Sequence, residues 1–333
     1  MSTAESTPVA NEAGVIEGRL TLIMSRATQD PSLRVENLRR VPAGASRHTW
    51  SFDAYGETTE REELILRIDA PGAFEAESMN RESALMTAAG RARVPSPRVV
   101  TSGSGDDELG ASYIVMSRVA GESIPRKILR DSEYSSARPR MAGQCGQILA
   151  RIHSIDPASV AGLEERDELD TWRKTLSDTG RAHPAFELAI RWLDQNRPPA
   201  AARRVVHGDF RLGNFIVGPE GIRAVLDWEL AHLGDPLEDL GWLCVKTWRF
   251  GQQPPVGGFG TVDDLVAAYE AESGSTVDRD ALHWWLVLGT LKWGILCLHQ
   301  AERHLSGATR SVELAAIGRR VSETEWDLLE LLP

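Results

Sequence analysis

Cysteine is scarce in this chain of 333 residues, and its three cysteines include no C-x-x-C pair. The wide spacing of Cys145, Cys244 and Cys297 argues against a disulfide framework and against a zinc site, and it is typical of reduced thiols. The sequence also lacks a basic start followed by an apolar run, which is the pattern of a signal peptide. We therefore expect a cytoplasmic protein.

Runs of lysine and arginine are also missing. The chain has 37 basic and 48 acidic residues, which give a net charge of −11. Such a surface repels phosphate backbones and anionic membranes, so we expect neither nucleic acid nor membrane as a partner. One apolar stretch, residues 281–298, has almost the length of a membrane span, but His283 and Lys292 interrupt it. Its tryptophans recur at helical spacing, which predicts a buried core helix instead.

The residues that are present have the composition of an ordinary globular protein, with 42% hydrophobic and 26% charged residues. This composition excludes a disordered or fibrous chain, and the length suits about two domains. We predict a mobile polar tail over residues 1–14, an N-terminal lobe over residues 15–119 and a C-terminal lobe over residues 120–333.

The period of the hydrophobic pattern changes along the chain. In the first third, a short helix at residues 16–27 and a main helix at 74–89 flank alternating strands around Trp50 and over residues 64–68. Later stretches of helical period cover residues 141–155, 184–195, 236–247, 262–272, 281–300 and 311–332. Two apolar segments, 215–217 and 222–226, interrupt them and predict a β-hairpin. Strands first and helices later predict an α+β fold in two lobes.

The most informative segment is VVHGDFRLGNFIVGPEGIRAVLDWE, residues 205–229. Asp209 and Asn214 lie five positions apart on a predicted loop, and Asp227 follows at the far end of the hairpin, 13 positions after Asn214. Because a hairpin brings its two ends together, Asn214 and Asp227 can converge on one Mg²⁺ ion, which takes amide and carboxylate oxygens. The alternative is that Asp209, Gly213 and Asn214 are ordinary turn residues, which leaves Asp227 unexplained.

This HGD-x4-N loop, with its hairpin and following aspartate, resembles the protein-kinase-like aminoglycoside phosphotransferase family. The resemblance implies a bilobal protein-kinase-like fold, with an N-terminal antiparallel sheet lobe carrying one main helix and a mainly helical C-terminal lobe containing the hairpin. It implies that Asp209 is the catalytic base, that Asn214 and Asp227 bind Mg²⁺ and that His207 braces the loop. Arg211 lies inside the loop, where it could reach a phosphate.

The same template implies a strand base and a helix acid in the N-terminal lobe. Arg67 lies on the strand LILRID, and Glu82 follows 15 positions later in the main helix. Kinases carry lysine at the strand position, whereas arginine keeps a permanent charge and can bind two phosphate oxygens. A surface ion pair of little energetic value is the alternative.

Two further segments correspond to nucleotide-binding parts of the family. Gly44 and Ser46 belong to PAGAS, between two strands, where a phosphate-covering loop is expected although the full G-x-G-x-x-G is absent. Met116, Ser117 and Val119 follow the last strand of the lobe, where the family's interlobe linker binds the base through backbone groups. A simple strand end is the alternative there.

Other acidic and histidine residues invite additional metal sites. Glu229, Asp235, Glu238 and Asp239 follow the motif closely, but Asp235-Pro236-Leu237-Glu238 has the pattern of a helix start. The remaining histidines, including His153, His232, His283 and His299, show no ligand spacing, so we expect packing or surface roles for them.

The resemblance implies a phosphotransferase that uses Mg²⁺ and moves the γ-phosphoryl group of ATP or GTP onto a hydroxyl of a small molecule. Within the family, WELAHLGDPLEDLGW resembles the subgroup related to kinase-like domains fused to acyl-CoA dehydrogenases, whose members phosphorylate hydroxyacyl-CoA. The acidic net charge instead favours a cationic acceptor such as an aminoglycoside. A CoA thioester would need a basic groove, for which the sequence offers only scattered candidates such as Arg126, Lys127, Arg130, Arg173 and Lys174.

A nucleotide-binding regulator without turnover, a pseudokinase, is the alternative function, and the oligomeric state is not predicted.

Overall fold

The computed structural model describes residues 7–41, 47–69, 76–105 and 108–333, with side chains described from residue 13 in the first helix and from residue 78 in the second. The chain divides into two compact units. The first comprises the described residues up to Ala120 together with Ala158–Gly162, and the second comprises Gly121–Pro157 and Leu163–Pro333. The main division thus falls one residue from the predicted boundary, while the short segment 158–162 joins the first unit.

The first unit is built around one antiparallel sheet. Its elements are α1 (Thr7–Thr28), β1 (Arg34–Val41), β2 (Arg47–Tyr55), β3 (Glu62–Asp69), α2 (Ala76–Arg91), β4 (Val99–Ser104) and β5 (Ser112–Ser117). The five strands lie in the order β1-β2-β3-β5-β4. The predicted combination of an antiparallel sheet with one main helix, α2, is therefore confirmed.

Alternating apolar residues explain this sheet. Trp50 pairs with Leu66 and Phe52 pairs with Leu64 across β2 and β3, and all four side chains are buried. Leu20 and further apolar residues of α1 belong to the same core cluster. Because side chains of a strand alternate between its two faces, this register places the whole apolar set on the side that α1 covers.

Helix α1 begins at Thr7, so residues 7–14 are helical and the expectation of a tail there is corrected. The apolar period starts only at Ile16, and Ala10, Glu12 and Ala13 favour a helix without contributing to that period. Hydrophobic patterning therefore detects only the second part of this helix. Residues 1–6 lie outside the described part of the chain.

The second unit is mainly helical. Its helices are α3 (Pro125–Arg130), α4 (Arg138–His153), α5 (Glu168–Asp178), α6 (Pro184–Gln195), α7 (Leu237–Cys244), α8 (Val262–Ser273), α9 (Arg279–Leu305), α10 (Val312–Gly318) and α11 (Val321–Leu331). Its strands are β6 (Arg204–Val206), β7 (Phe215–Gly218), β8 (Gly221–Val225) and β9 (His232–Gly234). Strands β7 and β8 form the predicted hairpin, with Phe215 opposite Val225.

Sequence patterning missed the short elements of this unit. Strands β6 and β9 have three residues each and pair with one another, which is too short for a period to be recognised. The predicted stretch 311–332 is two helices, α10 and α11, separated at Arg319 and Arg320. The α+β fold class and the hairpin are nevertheless as predicted.

Helix α9 forms the core of the second unit. By length and composition it is the one helix, among the described residues, that could cross a membrane. Its residues Leu288, Leu291 and Ile295 are fully buried or nearly so, and α7, α10 and α11 pack against it. The predicted core helix is therefore present, and its apolar composition is explained by burial inside the protein.

Candidate active site

The loop that carries the HGD motif is fixed to α7 through one buried carboxylate. The backbone N–H of His207 donates to Asp239 Oδ2 at 2.7 Å, and that of Gly208 donates to Asp239 Oδ1 at 2.9 Å. His153 Nε2 lies 3.1 Å from the same Oδ2. Asp239 is 0% exposed, so these contacts take the place of water around its carboxylate.

The ionisation of Asp239 follows from the same contacts. Burial by itself raises the pKa of this carboxyl, but the hydrogen bond and the charge interaction with His153 outweigh burial, and the pKa lies below its ordinary value. An ionised carboxylate accepts hydrogen bonds on both oxygens. Both oxygens of Asp239 are hydrogen-bonded to the loop backbone and one also to the His153 ring, so Asp239 acts as an anchor for the loop.

Glycine is required at position 208. Gly208 has φ of +78°, and a Cβ atom there would lie 2.6 Å from the carbonyl oxygen of Leu230. A side chain would therefore be both strained and excluded. The tight backbone at Gly208 turns the chain so that Asp209 follows immediately on the anchored N–H groups.

The carboxylate of Asp209 is held by three side-chain donors. Trp242 Nε1 donates to Oδ1 at 2.8 Å and Arg211 Nε donates to the same oxygen at 2.9 Å. Asn214 Nδ2 donates to Oδ2 at 2.7 Å and to the Asp209 carbonyl at 3.0 Å. The side chain remains 13% exposed. It is thus oriented from behind while one edge can still be reached by a hydroxyl group.

His207 links this loop to the end of the hairpin. Its Nδ1 accepts a hydrogen bond from the Asp209 N–H at 3.2 Å, so Nε2 carries the hydrogen and donates to the Leu226 carbonyl at 3.0 Å. The ring also packs against Trp228, with 4.8 Å between centroids. These contacts correspond to the bracing position that the family resemblance implies.

The two implied metal ligands lie on adjacent chain segments. The Leu226 N–H donates to the Asn214 carbonyl at 2.8 Å, which brings the entry of the hairpin beside its exit, and Asp227 follows directly with a left-handed φ of +66°. Because the Asn214 amide nitrogen faces Asp209, its amide oxygen is the atom a metal would bind. One amide oxygen with one carboxylate fits the hard oxygen donors of Mg²⁺.

In the structure Arg211 contacts two protein side chains, Asp209 and Trp248. Its guanidinium lies 4.4 Å over the ring of Trp248 while Nε is bound to Asp209. The stacking fixes the plane of the guanidinium, and the ion pair places its charge beside the candidate catalytic carboxylate.

In the first unit the structure brings Arg67 and Glu82 together, and it adds a second arginine. Arg67 Nη1 binds Glu82 Oε1, and Arg47 Nη1 binds Glu82 Oε2 at 2.6 Å. Arg47 also lies 3.2 Å from Asp69 Oδ1. Glu82 is 1% exposed, so the pair is a buried one and the alternative of a surface ion pair is wrong. Sequence reasoning missed Arg47, which lies 35 positions before Glu82.

The remaining nucleotide-binding candidates stay predictions. Gly44 and Ser46 lie outside the described residues. Met116 is paired with neighbours on both sides of β5, and the Ser117 N–H donates to the Arg98 carbonyl at 2.9 Å. Val119 follows the end of β5, so among these three residues it is the one outside the strand ladder.

The other acidic residues and histidines considered in the sequence lie at the start of α7 or in a buried cluster. The Leu237 N–H donates to Asp235 Oδ1 at 2.9 Å, so Asp235 binds the backbone at the start of α7, although this helix begins at Leu237, one residue after the predicted Pro236. His232 and Glu238 lie 3.1 Å apart and are buried beside Glu168. The absence of ligand spacing in the sequence concealed this spatial cluster, because its members come from different elements.

Several residues in or next to this site were not identified as functional from the sequence, namely Trp242, which binds Asp209, Asp239, which binds the loop backbone, and Lys292, which binds the Gly208 carbonyl. Trp242 is one of nine tryptophans after residue 171, and like most residues of α7 it is buried, being 3% exposed. Only the position of its indole N–H shows that it also binds Asp209. Lys292, the single lysine in the apolar stretch of α9, was a signal that was available, since a buried lysine needs partners.

A family model described as the phosphotransferase enzyme family matches residues 37–285. Human acyl-CoA dehydrogenase family member 11 is 31% identical over 273 residues, which cover 74% of this chain and 34% of that protein. The chain spans 20% to 44% of the length of the acyl-CoA dehydrogenase relatives it matches. The similarity therefore concerns one part of those longer proteins.

Solved structures agree on the fold. A Ralstonia eutropha protein assigned to the aminoglycoside phosphotransferases has a TM-score of 0.71 at 21% identity, covering 92% of this chain and 97% of that one. A thermostable mutant of aminoglycoside phosphotransferase APH(4)-Ia, solved with ADP and hygromycin B, has a TM-score of 0.59 at 17% identity, covering 95% and 97%. These similarities confirm the predicted protein-kinase-like fold.

Proposed function

The chain belongs to the phosphotransferase enzyme family, and on that premise we propose that it transfers the γ-phosphoryl group of ATP or GTP to a hydroxyl group of a small molecule. The observation that carries this proposal is the orientation of the Asp209 carboxylate by its hydrogen-bond donors. Its carboxylate is oriented by Trp242, Arg211 and Asn214 and lies beside the hairpin end that bears Asp227. Phosphoryl transfer depends mainly on such alignment and on charge neutralisation.

Asp209 would orient the acceptor hydroxyl and accept its proton as the oxygen–phosphorus bond to the acceptor forms and the bond between the γ-phosphorus and the leaving nucleoside diphosphate breaks. The three donors leave an edge of the carboxylate exposed, and they hold it in one orientation before the acceptor arrives. Because this arrangement exists in advance, little reorganisation is needed during the reaction.

Asn214 and Asp227 would hold Mg²⁺ through an amide oxygen and a carboxylate. When bound, Mg²⁺ neutralises charge on the nucleotide phosphates. The chain fixes both ligands through the hairpin, since Phe215 pairs with Val225 and Leu226 binds Asn214. In the first unit, Arg67 would bind phosphate oxygens, with Glu82 holding its guanidinium. A nucleotide co-substrate is also supported by the ADP found with the related APH(4)-Ia.

The second unit offers a pocket for the acceptor. It has a volume of about 500 Å³, and its lining includes Lys246, Arg249 and Arg320 as well as Trp326. Its lining residues Thr247 and Arg249 flank Trp248 in the chain, and the ring of Trp248 lies under Arg211 of the candidate catalytic loop.

Arg249 is the feature of this pocket that favours an anionic acceptor, because the lining also contains the acidic Glu323 and Asp327. Lys246 is paired with Asp327 and Arg320 with Glu323, but Arg249 forms no ion pair with any residue in the described part of the chain and has only a 3.3 Å hydrogen bond to the Cys244 carbonyl. A phosphate group of the acceptor would supply the missing partner. The ring of Trp326 is 63% exposed and offers a face for a base to stack on.

Other basic residues are less suitable for this purpose. Lys127 binds Glu122 at 2.9 Å, and Lys174 lies 3.5 Å from Asp178. Their charges are thus already balanced. Together with the similarity to acyl-CoA dehydrogenase family member 11, the pocket supports a hydroxyacyl-CoA thioester as the acceptor in preference to a cationic aminoglycoside.

The test is to incubate the protein with Mg²⁺ and either ATP or GTP against two pools, hydroxyacyl-CoA thioesters and aminoglycosides, and to identify products by mass spectrometry. We expect a product heavier by one phosphoryl group in the thioester pool. Asp209→Ala should lower kcat by about 10² to 10⁴-fold, and Arg249→Gln should raise the KM of the thioester while leaving that of the nucleotide unchanged.

Asp178→Ala, at an exposed position of α5, is the matched control and should retain full activity. Product in the aminoglycoside pool alone would refute the assignment of the acceptor but keep the phosphotransferase. Nucleotide binding without product in either pool would favour the pseudokinase, and a protein that binds no nucleotide would refute both.

A further inference from the structure

A lysine lies buried in the core of the second unit, directly behind the candidate catalytic loop. Lys292, in the middle of α9, is 7% exposed. Its Nζ donates to the Gly208 carbonyl at 3.3 Å and lies 3.4 Å from Glu168 Oε2 and 3.5 Å from Glu238 Oε1. An ammonium group is costly to bury, so its contacts must compensate that cost.

The compensation comes from residues on three other elements. Glu168 begins α5, Glu238 lies in the first turn of α7, and His232 on β9 lies 3.1 Å from Glu238 and 3.8 Å from Glu168. Burial alone lowers the pKa of Lys292, but the two glutamates outweigh burial and raise the pKa above its ordinary value. Lys292 therefore keeps its positive charge inside the protein.

This charge touches two groups that hold Asp209. The first is Gly208, whose N–H is bound by Asp239 and whose carbonyl is bound by Lys292, so both peptide groups around the glycine are fixed. The second is Trp242, whose ring lies 5.0 Å from Lys292 Nζ and whose N–H binds Asp209 Oδ1 at 2.8 Å. A cation over the face of an indole is attracted to the ring and keeps it in place.

We propose that Lys292 is a positioning residue, which acts on Asp209 through the Gly208 carbonyl and the Trp242 ring, with Glu168, Glu238 and His232 as the support for its charge. The proposal rests on the proposed function, because it assigns Lys292 a part in aligning the base of the phosphoryl transfer. No feature of the HGD-x4-N motif includes α9, so this assignment extends the candidate site beyond the motif.

A divalent cation is the other occupant that such a cluster could suggest. Ligand atoms of Glu168, His232 and Glu238 all lie within 4.8 Å of one another. However, the ammonium group of Lys292 already lies within 3.5 Å of both carboxylates. The adjoining cavity is only about 10 Å³, room for at most about one water molecule. Lysine therefore supplies the positive charge here.

The test compares Lys292→Met, which keeps length and apolar character but removes the charge, with Lys292→Arg, which keeps the charge. Arg303→Met, an exposed position of the same helix, is the matched control. We expect Lys292→Met to lower kcat about 10- to 100-fold, the effect of one lost charged hydrogen bond, with less than about threefold change in the affinity for Mg²⁺-ADP. Lys292→Arg should recover most of kcat.

Amide hydrogen exchange measures the loop without any turnover. In Lys292→Met the peptide covering residues 205–212 should exchange faster, while peptides of α4 and α8 keep their protection. In an Asp209→Ala background, Lys292→Met should cause no further loss of activity, because a residue that acts through Asp209 has nothing left to position. If Lys292→Met does not fold, Glu168→Gln is tested in the same way.

Unchanged kcat together with unchanged exchange of the loop would overturn the proposal. So would a parallel loss of kcat, nucleotide affinity and protection across the whole second unit, since that is a purely structural effect. One equivalent of tightly bound divalent metal that is lost in Glu168→Gln would assign the cluster to a metal and also overturn it. If the wild-type protein has no turnover, the proposed function fails, and the exchange experiment alone decides the role of Lys292.

Discussion

Each of the two units contains a buried carboxylate that binds several neighbouring groups, Glu82 in the first and Asp239 in the second, but the partners differ in kind. In the first unit Glu82 binds the guanidinium groups of Arg47 and Arg67. In the second unit Asp239 binds the N–H groups of His207 and Gly208 together with the His153 ring. Both carboxylates are at most 1% exposed, so burial alone does not distinguish them.

The difference lies in how far the partners can move. Arginine side chains are long and can exchange one oxygen partner for another, so under the proposed function Glu82 would release part of its hold on Arg67 as phosphate oxygens bind. Backbone N–H groups move only with the chain, and the chain at Gly208 is confined by the Leu230 carbonyl. The loop of the second unit is therefore organised before any substrate binds, whereas the arginine side chains of the first unit can change partners.

The largest expected effect is that of removing the Asp239 carboxylate, which holds the backbone of the loop at His207 and Gly208. Asp239→Ala leaves two buried N–H groups without an acceptor and removes the partner of His153. We expect the free energy of unfolding of the second unit to fall by about 3 to 5 kcal/mol. Tryptophan fluorescence during urea unfolding measures this unit, because nine of the 10 tryptophans follow residue 171.

Asp263→Ala, at an exposed position of α8 whose partner is Arg279, is the control and should cost at most about 1 kcal/mol. A loss below about 1 kcal/mol in Asp239→Ala would contradict the idea that the loop is anchored by this carboxylate. It would also remove the contrast with Glu82.

A smaller effect should separate the two arginines that share Glu82. The side chain of Arg67 is 19% exposed and that of Arg47 is 9% exposed, with Asp69 as a further partner of Arg47. Arg67→Gln should therefore raise the dissociation constant of the nucleotide about tenfold, the value of one charged contact. Arg47→Gln should mainly lower stability, because it leaves two buried carboxylates without that cation.

Calorimetric titration with a non-hydrolysable nucleotide and thermal unfolding of both variants provide the two readouts. The prediction would be wrong if Arg47→Gln weakened nucleotide binding more than Arg67→Gln. Arg98→Gln, an exposed arginine of the same unit, serves as the control and should change neither quantity measurably.

The sequence predicts what lies close together along the chain. The strands around Trp50, the hairpin of β7 and β8, and the α+β class follow from short-range periods, and they are present in the structure. The order of Asp209, Asn214 and Asp227 likewise lies within one short segment. A local pattern of this kind is enough to predict which residues lie close together, because a hairpin fixes which residues of its two strands are paired.

Contacts between distant segments are not predicted in this way. Lys292 lies 84 positions after Gly208, and Arg47 lies 35 positions before Glu82. Nothing in a single sequence states that α9 passes behind the loop, since packing decides it. The buried lysine in an apolar helix was nevertheless a visible anomaly, and such an anomaly indicates that partners of opposite charge exist elsewhere.

The smallest expected effect is a pH dependence of the rigid unit, which arises where His232 meets Glu238. Nδ1 of His232 donates to the Leu230 carbonyl at 2.9 Å, so Nε2 faces Glu238 Oε2 at 3.1 Å and one proton must lie between them. Burial lowers the pKa of His232, but the contact with Glu238 outweighs burial and raises it above 6.5. Burial raises the pKa of Glu238 as well.

A raised pKa means that the folded protein keeps a proton that the unfolded chain releases. The contribution of His232 to stability is therefore fully present below pH 6.5 and is lost as the pH rises through the higher pKa of the folded state. We expect the midpoint of thermal unfolding to fall as the pH rises above 6.5. Glu238→Gln keeps the contact without the charge and should flatten this slope, whereas His299→Gln, at an exposed position of α9, should leave it unchanged. A midpoint that rises over this range in the wild-type protein would mean that the proton is absent from the folded state, and the cluster behind the loop would then carry a net negative charge that Lys292 alone cannot balance.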